Sequence, residues 1–231
     1  MFGRKRATES SEPAEAESAD AGDAGADTGA DDGRRSGSRS AGPWDSGEVD
    51  LDAPGPERID LGSLLVTGVE GVELRLQADQ ATGAVSAALL ASGDGAVELR
   101  PFAAPKSGGL WDELRGEIAA EATRLGGTVD EEAGPYGPQL RLRVPAKGQG
   151  GRSGVQVSRV VAVEGPRWLL RATFVGTAAQ DPAADASLEQ ALREVVVVRG
   201  EQAMRPREPL PLRLPPQAQA QLAEEPDATG S

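Results

Sequence analysis

Apolar and polar residues alternate along several stretches of the chain, the pattern of half-buried β-strands. Leu64–Thr67 is a short predicted strand, and residues 72–77 alternate clearly. Alternation resumes on both sides of residues 92–95, where an Asp-Gly pair predicts a hairpin turn because such turns require a positive φ. This part of the chain predicts three to four antiparallel strands.

One stretch has the 3.6-residue period of an amphipathic helix. Its apolar positions, spaced by three and four, are Trp111, Leu114, Ile118, Ala122 and Leu125. Two acidic residues in the first turn and an arginine in the last suit the helix dipole, and two glycines end the helix. A second helix is predicted through about Glu194, capped by Asp185 or Ser187.

The second half of the chain predicts further strands and then an extended segment. Alternation over residues 140–144 ends at Pro145, and residues 155–163 and 167–175 form a long hairpin. The adjacent apolar residues Val160 and Val161 predict a bulge that changes the phase of its first arm. Residues 206–216 contain five prolines and are expected to be polyproline-like; their alternating leucines favour docking on the domain itself over a free polyproline ligand.

Together these elements predict an α+β fold with a mainly antiparallel sheet of about seven to nine strands and two helices, arranged like an α/β/α sandwich. One domain is predicted over residues 59–214, including the proline-rich extension. Low-complexity sequence predicts a disordered acidic tail over residues 1–58 and another disordered tail over residues 215–231. Trp44 lies within the first tail, and two interpretations stay open: a solvated residue, or one docked on the domain.

The net charge of −13 lies mostly outside the predicted domain. Residues 1–58 contain 14 acidic and 7 basic residues, whereas residues 59–214 contain 20 acidic and 17 basic ones. A nearly neutral domain is a poor ligand for nucleic acid, because that binding depends on releasing counterions from phosphates. We therefore expect no nucleic-acid partner.

The chain contains no cysteine and no histidine. Disulfides, thiolate nucleophiles, imidazole catalysis and Cys/His metal sites are therefore excluded. We expect no cofactor and no metal, although catalysis by aspartate, glutamate or lysine stays formally open. No stretch approaches the roughly 18–20 apolar residues of a membrane-spanning helix, and we expect a cytoplasmic protein.

The candidate ligand- or partner-binding residues are Phe102, Lys106, Ser107, Trp111, Arg167, Trp168, Arg171, Arg199 and Arg207. Two of them precede a helix N-terminus, where free N–H groups favour anions, although the spacing of a P-loop is missing. Guanidinium forks suit carboxylates and phosphates. Arg167 and Arg171 would share one strand face, where they would bind a ligand or pair with outward acids such as Glu98 and Glu164.

Four strings in the chain resemble those of a known family. They are Phe-Ala-Ala-Pro-Lys-Ser-Gly-Gly-Leu-Trp from residue 102, Gly-Pro-Arg-Trp-Leu-Leu-Arg from residue 165, Val-Val-Val-Arg-Gly from residue 196 and Leu-Pro-Leu from residue 210. Over residues 60–215 the chain resembles an uncharacterised actinobacterial domain-of-unknown-function family (DUF3710-like). The resemblance implies that Gly165, Arg167, Trp168, Arg199 and Gly200 recur, and it brings no activity.

The element order is also similar to that of the Mog1/PsbP-like sandwiches, which are mostly non-catalytic binding or assembly factors; this is an analogy of fold alone. We expect a non-enzymatic protein-binding or adaptor domain that uses residues 102–111, the strand with Arg167 and Trp168, and residues 199–207. One alternative is a small-anion or nucleotide sensor. Another is an acid-dependent hydrolase, which would need two of the carboxylates at positions 112, 113, 130 and 131 in one pocket. The sequence identifies neither the partner nor the oligomeric state.

Overall fold

The computed structural model describes residues 41–147, 153–181 and 186–215. In chain order its elements are β1 Trp44–Asp45, β2 Arg58–Asp60, β3 Leu64–Thr67, β4 Glu73–Ala78, β5 Val85–Ser92, β6 Gly95–Ala103, α1 Leu110–Arg124, β7 Thr128–Gly134, β8 Gly137–Lys147, β9 Ser153–Gly165, β10 Trp168–Gly176, α2 Thr177–Gln180, α3 Ala186–Glu194 and β11 Val196–Val197. Of the tails predicted over residues 1–58 and 215–231, residues 1–40 and 216–231 lie outside the described residues, as does Asp185.

Seven strands form one antiparallel sheet in the order β4-β5-β6-β10-β9-β8-β7. Within it β10 pairs along its full length with β6, from Trp168 opposite Ala103 to Gly176 opposite Gly95. The other four strands form a smaller sheet in the order β1-β11-β3-β2, in which only β1 and β11 are parallel. The predicted α+β class and mainly antiparallel sheet are confirmed. The structure differs from the prediction in that the short strands form a separate sheet and that a third, short helix, α2, is present.

Different elements cover the two faces of the main sheet. Helix α1 packs on β7, β8 and β9, in a core that contains Trp111 and Leu140. The opposite face shares a larger core with α2, α3 and the smaller sheet. Leu169 belongs to the first core, whereas its neighbours Trp168 and Leu170 belong to the second. Consecutive residues of a central strand are therefore buried, as is usual when both faces of a sheet are covered.

Two predictions are wrong, one about a bulge in β9 and one about the end of β8. Val160 packs in the core beneath α1 and Val161 in the opposite core, while the pairing of β9 with β10 continues through both. The predicted bulge at these valines is wrong. Pro145 does not end its strand, because it lies within β8 opposite Val155 of β9.

The folded chain begins before the predicted edge at residue 59. Trp44 and Asp45 pair with Val196 and Val197, so Trp44 is docked on the domain. The carboxylate of Asp45 accepts a hydrogen bond from the indole N–H of Trp168. Residues 41–58, which we call the N-terminal strap, are thus part of the domain and not of a tail.

The proline-rich segment lies along its own domain, as its alternating leucines predict. The N–H of Leu210 donates to the carbonyl of Pro101 at 3.0 Å, and the N–H of Arg213 donates to the carbonyl of Leu61 at 2.9 Å. Leu210 and Leu212 are buried. The segment therefore joins the main sheet to the loop that precedes β3. In the described chain no helix combines the length and apolar content needed to cross a bilayer.

Gly165 provides the first test of this packing. A Cβ at this position would lie 2.1 Å from Cε2 of Trp168, whose ring is fully buried and has no room to move. We expect Gly165→Ala to lower the free energy of unfolding by about 2–3 kcal/mol, because overpacking forces atoms of a rigid core from their preferred positions. Urea denaturation measures the change.

Gly116 supplies the matched control. It lies in α1, and a Cβ there would meet nothing within 4 Å. Gly116→Ala should raise the free energy of unfolding by about 0.5–1 kcal/mol, because glycine disfavours the helix. A Gly165→Ala chain as stable as the native chain would contradict the described packing of Trp168.

Candidate functional site

Three of the predicted binding segments meet at one end of the main sheet. The N–H of Ala104, after β6, donates to the carbonyl of Arg167 at 2.8 Å. The side chain of Arg199, after β11, donates from Nε to the same carbonyl at 3.0 Å. Nη2 of Arg167 in turn donates to the carbonyl of Gly200 at 3.2 Å. We call residues 104–109, 165–168 and 199–207 together the arginine surface.

The backbone of Arg167 is left-handed, with φ 62°. Arg167 follows Pro166 in the two-residue turn between β9 and β10, at the position where a positive φ normally selects glycine. A left-handed conformation costs a residue with a side chain about 1–2 kcal/mol. Hydrogen bonds to the Arg167 carbonyl hold this turn in place. Backbone strain of this kind is concentrated at functional positions.

Arg167 and Arg199 form a pair of like charges. The pKa of Arg199 is lowered, first by burial and then by the positive charge of Arg167, while Glu208 opposes the shift. Arg199 also donates from Nη1 to the carbonyl of Gln202 at 3.1 Å. Within the described chain neither guanidinium has a carboxylate within 4 Å, and the hydrogen bonds of both go to backbone carbonyls. The remaining donors are suited to a carboxylate or phosphate from outside.

Most other arginines of the domain are paired with acids. Those with a carboxylate oxygen within 4.0 Å are Arg75, Arg100, Arg115, Arg124, Arg141, Arg143, Arg159, Arg171, Arg207 and Arg213. Among the described arginines, Arg167 and Arg199 thus belong with Arg58, Arg193 and Arg205 to the minority that form no ion pair.

Arg207, a predicted member of the site, is engaged with α1. Its guanidinium donates to Glu113 at 2.7 Å and to Glu117 at 2.8 Å, and these hydrogen bonds raise its pKa. Arg207 thus fastens the C-terminal segment to the helix, and its charge is neutralised within the domain.

Arg171 does not share a strand face with Arg167, because Arg167 lies in the turn; that prediction is wrong. Arg171 lies over the ring of Phe102, 5.5 Å from its centroid, and 3.9 Å from Glu98. Burial, followed by the charge of Arg100, lowers its pKa, and Glu98 opposes the shift. Arg171 lines a separate groove of about 400 Å³ beside α1, to which the exposed Leu125 also contributes.

The two predicted tryptophans are core residues. Trp168 is fully buried, and Trp111 is 6% exposed, with its indole N–H donating to the carbonyl of Pro138 at 2.8 Å. Lys106 and Ser107 are exposed in the loop of the arginine surface. The surface available to a partner therefore consists of charged and loop residues, with the tryptophans beneath it.

A carboxylate of the protein itself occupies the N-terminus of α1. Glu164, at the end of β9, accepts hydrogen bonds from the N–H groups of Gly109 at 2.9 Å and Trp111 at 2.6 Å. The anion site expected before this helix is thus filled from within. Of the two acids expected to pair with Arg167 and Arg171, Glu98 lies 3.9 Å from Arg171, whereas Glu164 caps the helix. A contact across more than fifty residues left no signal in the local sequence.

The carboxylates considered for an acid-dependent hydrolase do not converge. Asp112, Glu113, Asp130 and Glu131 are all exposed. Each forms an ion pair with an arginine at 2.6–3.2 Å. The hydrolase interpretation is wrong for these residues. Among the residues that the structure describes, no group of three or more acidic side chains is arranged to hold a metal ion.

Glu164 gives a second test. Removing its carboxylate in Glu164→Ala leaves two helix N–H groups without their acceptor, and we expect the free energy of unfolding to fall by about 1–2 kcal/mol. Glu164→Gln retains one acceptor oxygen and should lose about half as much. Amide hydrogen exchange at Gly109 and Trp111 should accelerate in the alanine variant. Unchanged exchange at both amides would show that Glu164 does not cap α1.

Comparison with known proteins adds a family to this description. A family model described as "Protein of unknown function (DUF3710)" matches residues 42–221, from the start of the strap through the arginine surface and beyond the described C-terminal segment. A comparison with curated proteins gave no match. The chain belongs to the DUF3710 family of proteins of unknown function.

Proposed function

We propose that the domain is a protein-binding or adaptor module whose arginine surface receives an acidic segment of a partner protein. The observation that carries the proposal is Arg167. It is a charged residue held in a strained turn, where glycine would fit without strain, and its guanidinium has no acid partner in the described chain.

The charges around Arg167 and Arg199 support an acidic partner. Lys106 and Arg205 lie on the same surface and both are exposed. Within the described residues neither side chain forms an ion pair, although the carboxylate of Glu208 accepts a hydrogen bond from the backbone N–H of Arg205 at 2.9 Å. The stretch after β11 contains two acidic residues, Glu201 and Glu208, and the charge of Glu208 acts on Arg199. A local positive surface on a nearly neutral domain would steer and orient an acidic segment during association.

The geometry favours a polypeptide over a small anion. A single ion pair at an exposed site is worth only about 0–1 kcal/mol, so an isolated carboxylate or phosphate would gain little here. The helix N-terminus that would have strengthened a small-anion site is occupied by Glu164. A peptide with several carboxylates can contact separate cations at once, and the Arg167 and Arg199 side chains are already fixed by backbone carbonyls, which reduces the entropy lost on binding.

Arg167→Gly separates a binding role from a structural one. The substitution removes the guanidinium and relieves the left-handed strain, so the free energy of unfolding should change by less than about 1 kcal/mol. Binding should nevertheless fall. We propose covalent crosslinking of the full chain in cells of its source, followed by mass spectrometry, with the native chain and Arg167→Gly compared quantitatively.

Arg124→Gln is the matched control, because it removes one exposed positive charge on α1, away from the arginine surface. We expect a specific protein adduct with the native chain and with Arg124→Gln, reduced at least about tenfold with Arg167→Gly. Equal adducts with all three chains would reject the arginine surface as the binding site. Failure of the native chain to give any specific adduct would count against an adaptor role.

A further inference from the structure

A second candidate site lies between the N-terminal strap and the smaller sheet. It is a cavity of about 470 Å³, a size typical of small-ligand sites. Its polar and aromatic walls come from Trp44, Glu48, Asp50, Arg58, Thr67 and Glu194. These residues come from the strap, from β2 and β3, and from the end of α3.

Two polar groups on one wall have no hydrogen-bond partner in the described chain. Arg58 and Thr67 are directly opposite each other on β2 and β3, so their side chains lie on the same face. Thr67 is 5% exposed, and its Oγ1 is buried and unpaired, as is Nε of Arg58. Among the described residues, Arg58 also has no carboxylate within 4 Å. Unpaired buried polar atoms are uncommon and costly, so a neighbouring pair of them beside a cavity points to a ligand with acceptor oxygens.

The cavity also presents three carboxylates that the chain holds in place. Glu48 accepts the N–H of Asp45 at 2.8 Å through Oε2, and Glu194 accepts Nε2 of Gln190 at 2.9 Å through Oε1. Asp50 accepts the N–H groups of the two residues at positions 52 and 53 through Oδ1. For Asp50 and Glu194, no basic side chain of the described chain lies within 4 Å. These carboxylates are therefore able to receive cationic groups of a ligand.

Trp44 supplies an aromatic wall to the same cavity. Its backbone is fixed by pairing with β11, including a hydrogen bond from its N–H to the carbonyl of Val195 at 2.9 Å. The indole is only partly buried. An indole face attracts an ammonium or guanidinium group, and this attraction adds to that of the nearby carboxylates.

We propose that this cavity binds a basic amino acid, either free or as the C-terminal residue of a peptide. The α-carboxylate would lie against Arg58 and Thr67, and the basic side chain against Trp44, Asp50 and Glu194. Arg58 and the two carboxylates of Asp50 and Glu194 match a ligand that carries one carboxylate and one or two cationic groups. The inference is independent of the arginine surface and of the proposed adaptor role.

Ligand analogues test separately the recognition of the α-carboxylate and the recognition of the basic side chain. The full chain is titrated with L-arginine, with L-citrulline, which has a neutral side chain of nearly the same shape, and with L-arginine amide, which lacks the carboxylate. Binding is followed by calorimetry and by the fluorescence of Trp44, the more exposed of the three tryptophans. We expect L-arginine to bind saturably, and each analogue to bind at least about tenfold more weakly.

The peptide Ala-Ala-Arg with a free C-terminus distinguishes the two sources. Tighter binding of the peptide than of L-arginine would assign the site to peptide C-termini, and tighter binding of L-arginine would assign it to the free amino acid. If neither L-arginine nor the peptide binds saturably at concentrations up to about 10 mM, well above the dissociation constants of specific sites, the proposal is overturned. Equal binding of citrulline or of the amide would overturn it as well.

Variants of the cavity complete the test. Asp50→Asn and Glu194→Gln each keep an acceptor oxygen for the existing hydrogen bonds, so the fold should be retained, which a thermal melt verifies. Combined, they should weaken L-arginine binding at least about tenfold. Glu70→Gln, an exposed position in the turn before β4, is the matched control and should leave binding unchanged. An unchanged affinity in the double variant would rule out these carboxylates as ligand contacts.

Discussion

The burial of Trp168 is the constraint on which much of the remaining structure depends. Its side chain is fully buried in the larger core, and it lies directly opposite Ala103 on one neighbouring strand and Gly165 on the other. Its indole N–H is satisfied by Asp45, 123 residues away in the chain. Leaving this buried N–H without an acceptor would cost about 1–3 kcal/mol. The Trp168 ring therefore links the strap, through Asp45, to the β9–β10 turn that contains Arg167.

A second buried interaction positions α3 over the same core. Arg159 of β9 is paired with Glu189 of α3, and both are almost completely buried. The guanidinium lies 3.9 Å from the centroid of the Phe174 ring, and Tyr136 donates to Glu189 at 3.0 Å. Burial, followed by the charge of Glu189, raises the pKa of Tyr136, which keeps its hydroxyl protonated as a donor. Removing any one partner would leave an uncompensated polar group in an apolar core. The free-energy cost of that change is far larger than the stabilisation that an exposed ion pair provides.

The elements that the sequence predicts well are those whose signal is local. Leu64–Thr67 and α1 follow directly from alternation and from a helical period, and the hairpin between β5 and β6 follows from its turn residues, although the positive φ falls on Gly93. Elements that depend on distant contacts were missed. The two-residue strand β1 forms because it pairs with β11 and hydrogen-bonds to Trp168. The sequence left docking of Trp44 open but did not identify the strand or its partners. Adjacent buried residues such as Val160 and Val161 suggested a bulge, because alternation assumes that one face of the sheet is exposed.

The candidate site also combines features that the local sequence predicts with features that depend on contacts between distant residues. The arginines, together with the loop before α1, identified the segments that meet at the end of the main sheet. Which arginines are neutralised could not be read from the sequence, because Arg207 finds its acids on α1, 90 residues or more away. The role of Glu164 was hidden for the same reason. Thr67 and Arg58 gave no signal at all, since a missing hydrogen bond is a property of the folded arrangement.

The course of the C-terminal segment determines when this protein can finish folding during its synthesis. The N–H of Leu210 donates to Pro101 and that of Arg213 donates to Leu61, and Leu210 and Leu212 are buried in the larger core. The last contacts of this core are therefore made by residues near the end of the described chain. The parallel pairing of β1 with β11 likewise joins the two extremes of the domain. Domains generally fold as units during synthesis, and contacts between distant residues form slowly. A ribosome-bound chain that stops before β11 would lack the strand that lies between β1 and β3, so the smaller sheet would stay incomplete until the final residues emerge.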